Sequence, residues 1–216
     1  MRIIYKSILV LSFLIIIFIS YLSIFGIETD KFNNQITNKI NTINKDFEIE
    51  LKKIKLILDP FRLKLNIRTI GSKFKSRNQT IEIESIKTQI LLRSLFNNKF
   101  SIKNLYISTE SVDIKNLISF LRSIQNTPEL FILEKIMKKG YLIADIKVEF
   151  DSEGKVKDNF TINGFIKEAK LNLLKKYNID KLKLFFKYEK DKLFFTDIQF
   201  FLNELNLGSK ELTIKK

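Results

Sequence analysis

Two hydrophobic patterns divide this chain: an apolar run near its start and a two-residue alternation over most of the remainder. Residues 7–27 contain no charged side chain, and about 20 apolar residues suffice for a helix that spans a bilayer. The run exceeds the ~7–15 residues of a signal-peptide apolar region, and no small-residue cleavage site follows it. We therefore predict a retained membrane anchor at residues 7–27, after a cytoplasmic tail at residues 1–6.

Charges on the two sides of the run predict its orientation. Arg2 and Lys6 precede it, whereas Glu28 and Asp30 follow it with only Lys31 nearby. Cytoplasmic flanks of membrane helices carry an excess of Lys and Arg. We therefore expect a cytoplasmic N-terminus and a C-terminal arm on the other side of the membrane.

A helical pattern follows the anchor. Thr29 is a suitable N-cap, and the apolar side chains after it fall on one narrow helical face. These side chains are Phe32, Ile36, Ile40, Ile43 and Phe47. The pattern predicts an amphipathic helix over residues 28–46 that packs either on the following sheet or on the membrane surface.

From residue 47 the apolar period changes to two, which predicts a β-rich arm over residues 47–216. A change of phase at Lys52-Lys53 predicts a β-bulge, and Asp59-Pro60 predicts a turn. Weaker alternations predict about ten or eleven strands in all. The clearest strand follows the turn, and its apolar face consists of Phe61, Leu63, Leu65 and Ile67.

A helical segment interrupts the strands at residues 115–139. Its second half has a strong start signal in Thr127-Pro128-Glu129, where proline occupies the first helical position. Lys138-Lys139-Gly140 has the cations and the glycine of a helix C-terminus. The pattern predicts two short helices, after which strands resume and residues 188–192 form a hairpin loop.

The charge balance limits the kinds of partner that the arm is expected to bind. The chain has 38 Lys and Arg and 24 Asp and Glu, and Arg2 and Lys6 are the two basic residues outside the arm, which therefore carries +12. Such a charge favours anionic surfaces: phospholipid, lipopolysaccharide or nucleic acid. The abundance of Lys, Asn, Ile and Phe is also what an AT-rich genome produces. Because the predicted topology separates the arm from the chromosome, we expect a membrane partner and no nucleic acid.

Several chemistries are excluded by composition. The chain has no His and no Cys, so it cannot form a His-based triad, a Cys nucleophile or an ordinary zinc site. No P-loop, dinucleotide-binding or nucleophile-elbow motif occurs. Two carboxylate pairs, Glu82 with Glu84 and Asp145 with Glu149, lie on polar strand faces, where solvated charge is the usual role. We expect no enzymatic activity, no metal and no cofactor.

The layout resembles the AsmA-like superfamily of Gram-negative envelopes, which includes AsmA, TamB and YhdP. The resemblance begins with the anchor, the amphipathic helix and FEIELKKIKLILDPFRLKLNI. It continues over residues 81–121, with Ser94-Leu95-Phe96 as a corner, and over residues 160–214. The shared motifs are patterns of apolar positions over most of the chain.

The resemblance implies an inner-membrane protein whose arm is a curved, taco-like antiparallel sheet in the periplasm. It implies that phospholipid moves along an apolar groove between the envelope membranes, and it carries no catalytic residue. Alternating apolar residues also form ordinary protein cores, so a filled interior stays open as the alternative. The lipid-facing candidates are Phe61, Leu63, Leu65, Ile67, Ile102, Leu105, Ile107, Leu182, Leu184 and Phe186.

The length suggests a smaller role than that of long family members. Ten or eleven strands form a groove on the order of 50 Å long. The chain stops within a strand pattern, so we expect an N-terminal fragment or a short member. Its terminal edge would pair with another envelope protein or with the remainder of the chain. Two other functions remain: an anchored scaffold of the envelope, and a short LptC-like component of lipopolysaccharide export.

Overall fold

The fold was determined from a computed structural model, which describes residues 2–31, 33–34, 37, 48–92, 102, 104–151, 157, 160–174 and 176–215. The described residues form three helices: α1 (Arg2–Ile24), α2 (Ile114–Ile124) and α3 (Pro128–Ile136). They also form thirteen strands, two more than the upper limit predicted. In chain order, β1 to β13 are Ile27–Thr29, Glu48–Glu50, Lys53–Asp59, Lys64–Ile70, Ser72–Ser76, Gln79–Leu91, Asn104–Thr109, Val112–Asp113, Met137–Glu149, Thr161–Leu173, Tyr177–Glu189, Lys192–Leu202 and Leu205–Lys215.

Helix α1 is long and apolar enough to cross a membrane. Its apolar part, Ile4–Ile24, has 21 residues, and none of them is buried against the rest of the protein. The helix ends three residues before the predicted boundary, because Gly26 adopts a φ of +69°. The Gly26 N–H donates to the Tyr21 carbonyl at 3.3 Å, and Ile27 already belongs to β1.

The segment after the anchor differs from the prediction at its start. Residues 28 and 29 belong to β1 and not to a helix, and the Thr29 hydroxyl accepts a hydrogen bond from the Lys31 N–H at 3.2 Å. Most of the amphipathic helix predicted at residues 28–46 lies outside the described residues.

All thirteen strands belong to one open, curved antiparallel sheet, which confirms the predicted fold class. Ten of them follow each other across the sheet in the order β1, β3, β4, β6, β7, β9, β10, β11, β12, β13. The other three fill in beside this path: β2 pairs with β5, β5 with β6, and β8 with β9. Antiparallel neighbours joined by short turns are what the alternating pattern with polar loops favours.

Two predictions in the first strands are wrong. The phase change at Lys52 is a break between strands and not a bulge, since β2 pairs with β5 whereas β3 pairs with β1 and β4. The strand expected from Phe61 begins at Lys64 instead. Asp59 causes this delay, because its Oδ1 accepts a hydrogen bond from the Arg62 N–H at 3.0 Å and extends the turn.

A line of irregular residues crosses four adjacent strands and explains the curvature. Gly140 in β9 has a φ of +152°, while Glu168, Lys181 and Asp197 in β10, β11 and β12 have φ values near +50°. The pairing of β9 with β10, β10 with β11 and β11 with β12 shifts locally beside these residues. Irregular residues of this kind bend a strand and increase its twist, so their alignment folds the sheet along one line.

Helices α2 and α3 form the predicted helical hairpin and cover part of one sheet face. Asp113 caps α2, and Thr127 caps α3, which begins with Pro128 as expected. Ser119 donates to Glu134 at 2.9 Å, and Arg122 forms an ion pair with the same carboxylate. The hydrogen bond from Ser119 and the charge of Arg122 lower the pKa of Glu134.

The end of the hairpin differs from the prediction. Helix α3 ends at Ile136, and β9 starts at Met137 without a loop. Lys138, Lys139 and Gly140 are therefore strand residues, and Gly140 is buried instead of capping a helix.

Three buried clusters form the core, and two of them lie beneath the hairpin. Ile114 and Ile118 of α2 pack on Met137 and Ala169. Phe120 of α2 packs on β6, with Ile81 and Ile83. The third cluster joins β2 and β3 and consists of Ile49, Leu51 and Ile54.

Candidate functional site

The sheet has an inner face, which we define as the face that carries α2. Its members follow from the contacts of α2 and from the register, because residues opposite each other in neighbouring strands share a face. Leu142, Ile166 and Leu182 pack around the α2 cluster, and Leu142 pairs with Ile166. Ile166 also pairs with Leu184, so the inner face continues into β11.

One row of apolar side chains crosses seven strands of the inner face in direct register. Each member is the paired neighbour of the next, from β6 through β7, β9, β10, β11 and β12 to β13. Seven strands at a spacing of about 4.8 Å make this row about 29 Å long. We call it the apolar row; it consists of Ile86, Ile107, Ile146, Ile162, Tyr188, Leu193 and Ile214.

No member of the apolar row is buried, which distinguishes it from the core beneath the hairpin. Its first six residues are half-buried, and Ile214 retains 49% of its accessible surface. On the same strands, Met137 and Ala169 are buried because α2 covers them. The hairpin therefore fills one part of the inner face, and its cluster around Phe120 reaches Ile86 and Ile107, the first two members of the row. Within the described residues, the members from Ile146 onward pack on neither hairpin cluster.

A second apolar line widens the row in its last strands. Phe186 pairs with Gly164 on one side and with Phe195 on the other, and Phe195 pairs with Leu212. The Phe186 ring lies over Gly164, where an added Cβ would be only 2.4 Å from two ring carbons. The glycine thus provides the space in which the ring lies flat against the sheet.

Lysines and aromatic rings lie beside the fifth and sixth members of the row, at the turn between β11 and β12. Tyr188 stacks on Phe160, with 5.2 Å between the ring centroids, and its hydroxyl donates to Asp191 at 2.9 Å. This hydrogen bond raises the pKa of Tyr188. Lys190 and Lys192 are exposed at the same turn. The margin of the row at this turn therefore combines apolar rings with cations.

The predicted residues near the start of the arm divide into two groups. Leu65 and Ile67 lie in β4, and Ile67 packs against the cluster around Ile54. Phe61 and Leu63 lie in the preceding turn, where Phe61 is 98% exposed and Leu63 has a φ of +49°. The turn therefore removes Phe61 and Leu63 from the face on which they were predicted.

The later predicted residues lie on or beside the inner face. Leu105 and Ile107 belong to β7 and pair with Val148 and Ile146, whereas Ile102 precedes the strand. Leu182, Leu184 and Phe186 are inner-face residues of β11. The structure thus places Ile107 in the apolar row and Phe186 in the line beside it, and it leaves Ile102 outside the strands.

The outer face is polar and carries ion pairs. Lys73 binds Glu82 at 2.7 Å, and Arg68 binds Glu84 at 3.5 Å. The hydrogen bond from Lys73 lowers the pKa of Glu82, and the same bond raises the pKa of Lys73. The carboxylates singled out as a pair in the sequence are thus each matched to a cation of their own.

The second carboxylate pair has a similar arrangement. Asp145 accepts a hydrogen bond from Ser108 at 2.7 Å, and Glu149 pairs with Lys147 at 2.6 Å, which raises the pKa of Lys147. In the part of the chain that the structure describes, no cluster of three acidic residues could hold a metal ion.

The outer face also has a smaller apolar patch that the sequence did not indicate. Ile143, Phe165 and Phe185 are paired across β9, β10 and β11, and the two rings lie 4.7 Å apart. This patch borders a shallow depression of about 400 Å³. It provides solvent-facing aromatic residues on the same strands as the apolar row but on the opposite face.

Most members of the apolar row were missed because strand pairing decides which residues align. Nothing in the neighbours of Ile146 along the chain connects it with Ile107 or Ile162. The length of each hairpin loop was the sequence feature that could have indicated this alignment. A tight turn at Lys190 and Asp191, for example, fixes the register of β11 and β12.

Comparisons with protein-family models, with curated proteins and with solved structures found no match for this chain.

Proposed function

We propose that this protein is a membrane-anchored, AsmA-like lipid-binding arm that holds phospholipid acyl chains along the apolar row. The observation that carries the proposal is the row itself: seven apolar side chains in register on an open sheet, six of them half-buried and Ile214 half-exposed. The row is longer than the ~15 Å of hydrocarbon in one bilayer leaflet, so it offers an acyl chain contact over its whole length.

Binding on this row is a partition and needs no chemical step. Each methylene that leaves water for the apolar row contributes about 0.8 kcal/mol. The phosphate of the head group stays at the margin of the row, at the turn between β11 and β12, where Lys190 and Lys192 provide cations. The aromatic rings of Phe160 and Tyr188 suit the boundary between acyl chain and head group.

Lipid enters the arm from the membrane in which α1 is anchored. Helix α1 ends two residues before β1, and β1 is the first strand of the sheet. One edge of the sheet therefore begins next to the membrane from which lipid would enter. Arg2 and Lys6 favour a cytoplasmic N-terminus, so the proposed location is the bacterial inner membrane with the arm in the periplasm.

A pair of adjacent phenylalanines tests the proposal. Replacing Phe186 by Glu places a carboxylate on the inner face, and because a charge against an acyl chain costs several kcal/mol, retained phospholipid falls at least tenfold. Replacing Phe185 by Glu is the matched control, since that ring lies on the outer face one residue earlier. The measurement is phospholipid per mole of full-length protein after exhaustive detergent exchange, by mass spectrometry.

Circular dichroism shows whether both variants keep the β fold, and Leu193→Glu serves as a second inner-face variant. Equal phospholipid retention by the Phe186, Leu193 and Phe185 variants would mean that the inner face binds no lipid.

One observation favours an anchored scaffold as the second candidate. The core beneath α2 is filled, with Phe120 and Ala169 buried, as expected for a domain with a structural role. A scaffold predicts no phospholipid beyond that bound to α1, so the wild-type protein and the Phe186 variant would retain the same small amount.

A further inference from the structure

The turn between β3 and β4 exposes two large apolar side chains. Phe61 is 98% exposed and Leu63 is 62% exposed. Arg62 lies between them, and Lys64 follows as the first residue of β4. Neither cation forms an ion pair with another described residue. Exposed apolar side chains with cations beside them are typical of protein surfaces that bind a membrane.

The turn and the anchor leave the sheet at the same end. Strands β1 and β3 are antiparallel, with Ile27 opposite Leu56. The direction from Ile27 back into α1 is therefore the direction from Leu56 forward to Asp59, where the turn begins. The chain between α1 and β1 also lies against β3, since a Cβ added to Gly26 would be 2.4 Å from the Leu56 carbonyl oxygen.

Helix α1 continues alongside β3 toward this turn. The two elements are in contact. Ile19, Leu22 and Ser23 of α1 are partly covered, whereas the side chains of residues 4–18 are exposed. Spacings of three and four residues place the covered side chains on one helical face. One face of the last two turns of α1 is therefore the face that meets the sheet.

The turn lies level with the end of the membrane-spanning helix. Asp59 is three strand residues, about 10 Å, beyond Leu56. Tyr21 is six residues, about 9 Å along a helix, before Ile27. The rings of Tyr21 and Phe25 are 5.4 Å apart, and aromatic residues at the end of a membrane helix lie at the depth of the head groups. The turn after Asp59 is therefore at the same depth.

We propose that the β3–β4 turn inserts into the surface of the membrane that α1 crosses. Phe61 and Leu63 enter the acyl region, while Arg62 and Lys64 bind head-group phosphates. The backbone of the turn stays hydrated, because its polar groups would be costly in hydrocarbon. The occupant is an anionic phospholipid surface, since the turn is level with the anchor and its free cations complement acidic head groups. The arm thus has a second attachment beside α1.

This proposal rests on α1 crossing a membrane, and not on lipid binding to the apolar row. A single indole tests it, because the chain has no tryptophan. Full-length Phe61→Trp protein is reconstituted into vesicles of phosphatidylcholine and phosphatidylglycerol. The fluorescence of the indole is then measured with and without phospholipid that carries a nitroxide quencher near its head group.

Leu174→Trp is the matched control. Leu174 is 88% exposed in the turn between β10 and β11. Successive strand pairings place the start of β10 at the end of the sheet that holds the β3–β4 turn, and Leu174 follows the other end of β10. Because Phe61 and Leu174 both face solvent, neither substitution disturbs the packing of the sheet.

We expect the emission of the Phe61→Trp variant to shift to shorter wavelength and to lose most of its intensity to the nitroxide lipid. The Leu174→Trp variant is expected to keep the emission of a hydrated indole with little quenching. Vesicles without phosphatidylglycerol are expected to weaken the quenching at position 61, since Arg62 and Lys64 then lose their anionic partner. Adding Phe186→Glu is expected to leave that quenching unchanged, which separates this result from lipid binding on the apolar row.

Equal quenching of the two variants, or none at position 61, overturns the proposal. A shift to shorter wavelength without quenching overturns it as well, since the turn would then be covered by protein. Quenching that does not depend on phosphatidylglycerol contradicts the role given to Arg62 and Lys64.

Discussion

Replacing Phe120 by Ala is expected to lower the free energy of unfolding by about 3–4 kcal/mol, because it leaves a cavity where a phenyl ring was buried. Phe120 is 4% exposed and packs on Ile81 and Ile83. It joins α2 to β6, so its loss also weakens the packing of the hairpin on the sheet. The measurement is denaturant unfolding of the full-length protein in detergent.

The neighbouring residue is the matched control. Leu121 is 40% exposed and does not pack on the cluster of Phe120. Leu121→Ala is therefore expected to cost less than about 1 kcal/mol. If both variants lose the same stability, the hairpin does not pack on the inner face as described.

Gly140→Ala is expected to lower the free energy of unfolding by about 2–4 kcal/mol, because backbone strain and overpacking act together. The φ of +152° at Gly140 is one that residues with a side chain rarely adopt. An added Cβ would also lie 2.9 Å from the Cβ of Ala169 and 2.9 Å from Cδ1 of Ile114. The thermal midpoint of the full-length variant, followed by circular dichroism, measures the loss.

Gly208→Ala provides the comparison for a strand glycine. Gly208 lies in β13 without a positive φ, and its added Cβ meets only the Ile198 carbonyl, at 3.0 Å. We expect Gly208→Ala to lower the free energy of unfolding by less than about 1 kcal/mol, since a small shift of an edge strand relieves the contact. A Gly140 variant as stable as the Gly208 variant would contradict the close approach of α2 to β9 and β10.

The fold class followed from local patterns along the chain. The alternation in residues 180–188 and 193–202 identified β11 and β12, and the polar loop between them is a hairpin turn. Thr127-Pro128 predicted the start of α3 because capping and the fixed φ of proline act locally. These features depend only on residues close together in the chain, so a single sequence is enough to predict them.

Other features depend on contacts that local patterns do not encode. The alternation from Phe61 to Ile67 does not show that the Asp59 carboxylate prolongs the turn, which moves Phe61 and Leu63 into solvent. Gly140 after two lysines has the sequence of a helix end, yet its close contact with Ala169 places it in a strand. In both cases a tertiary or side-chain contact overrides the local preference.

The candidate site could be predicted only in part. Ile107 and Phe186 were identified from their own strands, because each lies on the apolar side of an alternating segment. Their neighbours in the apolar row come from residues up to about a hundred positions away, such as Ile162 and Ile214. Register across seven strands depends on every turn and bulge between them, which no single segment contains.

A photoreactive phospholipid tests lipid binding most directly. The full-length protein is reconstituted with a phospholipid that carries a diazirine in its acyl chain, irradiated, and mapped by mass spectrometry. We predict that labelled residues outside α1 concentrate on the inner face of β9 to β13, with Phe186 and Leu193 labelled and Phe185 unlabelled. Labelling confined to α1, or equal labelling of Phe185 and Phe186, would contradict lipid binding on the apolar row.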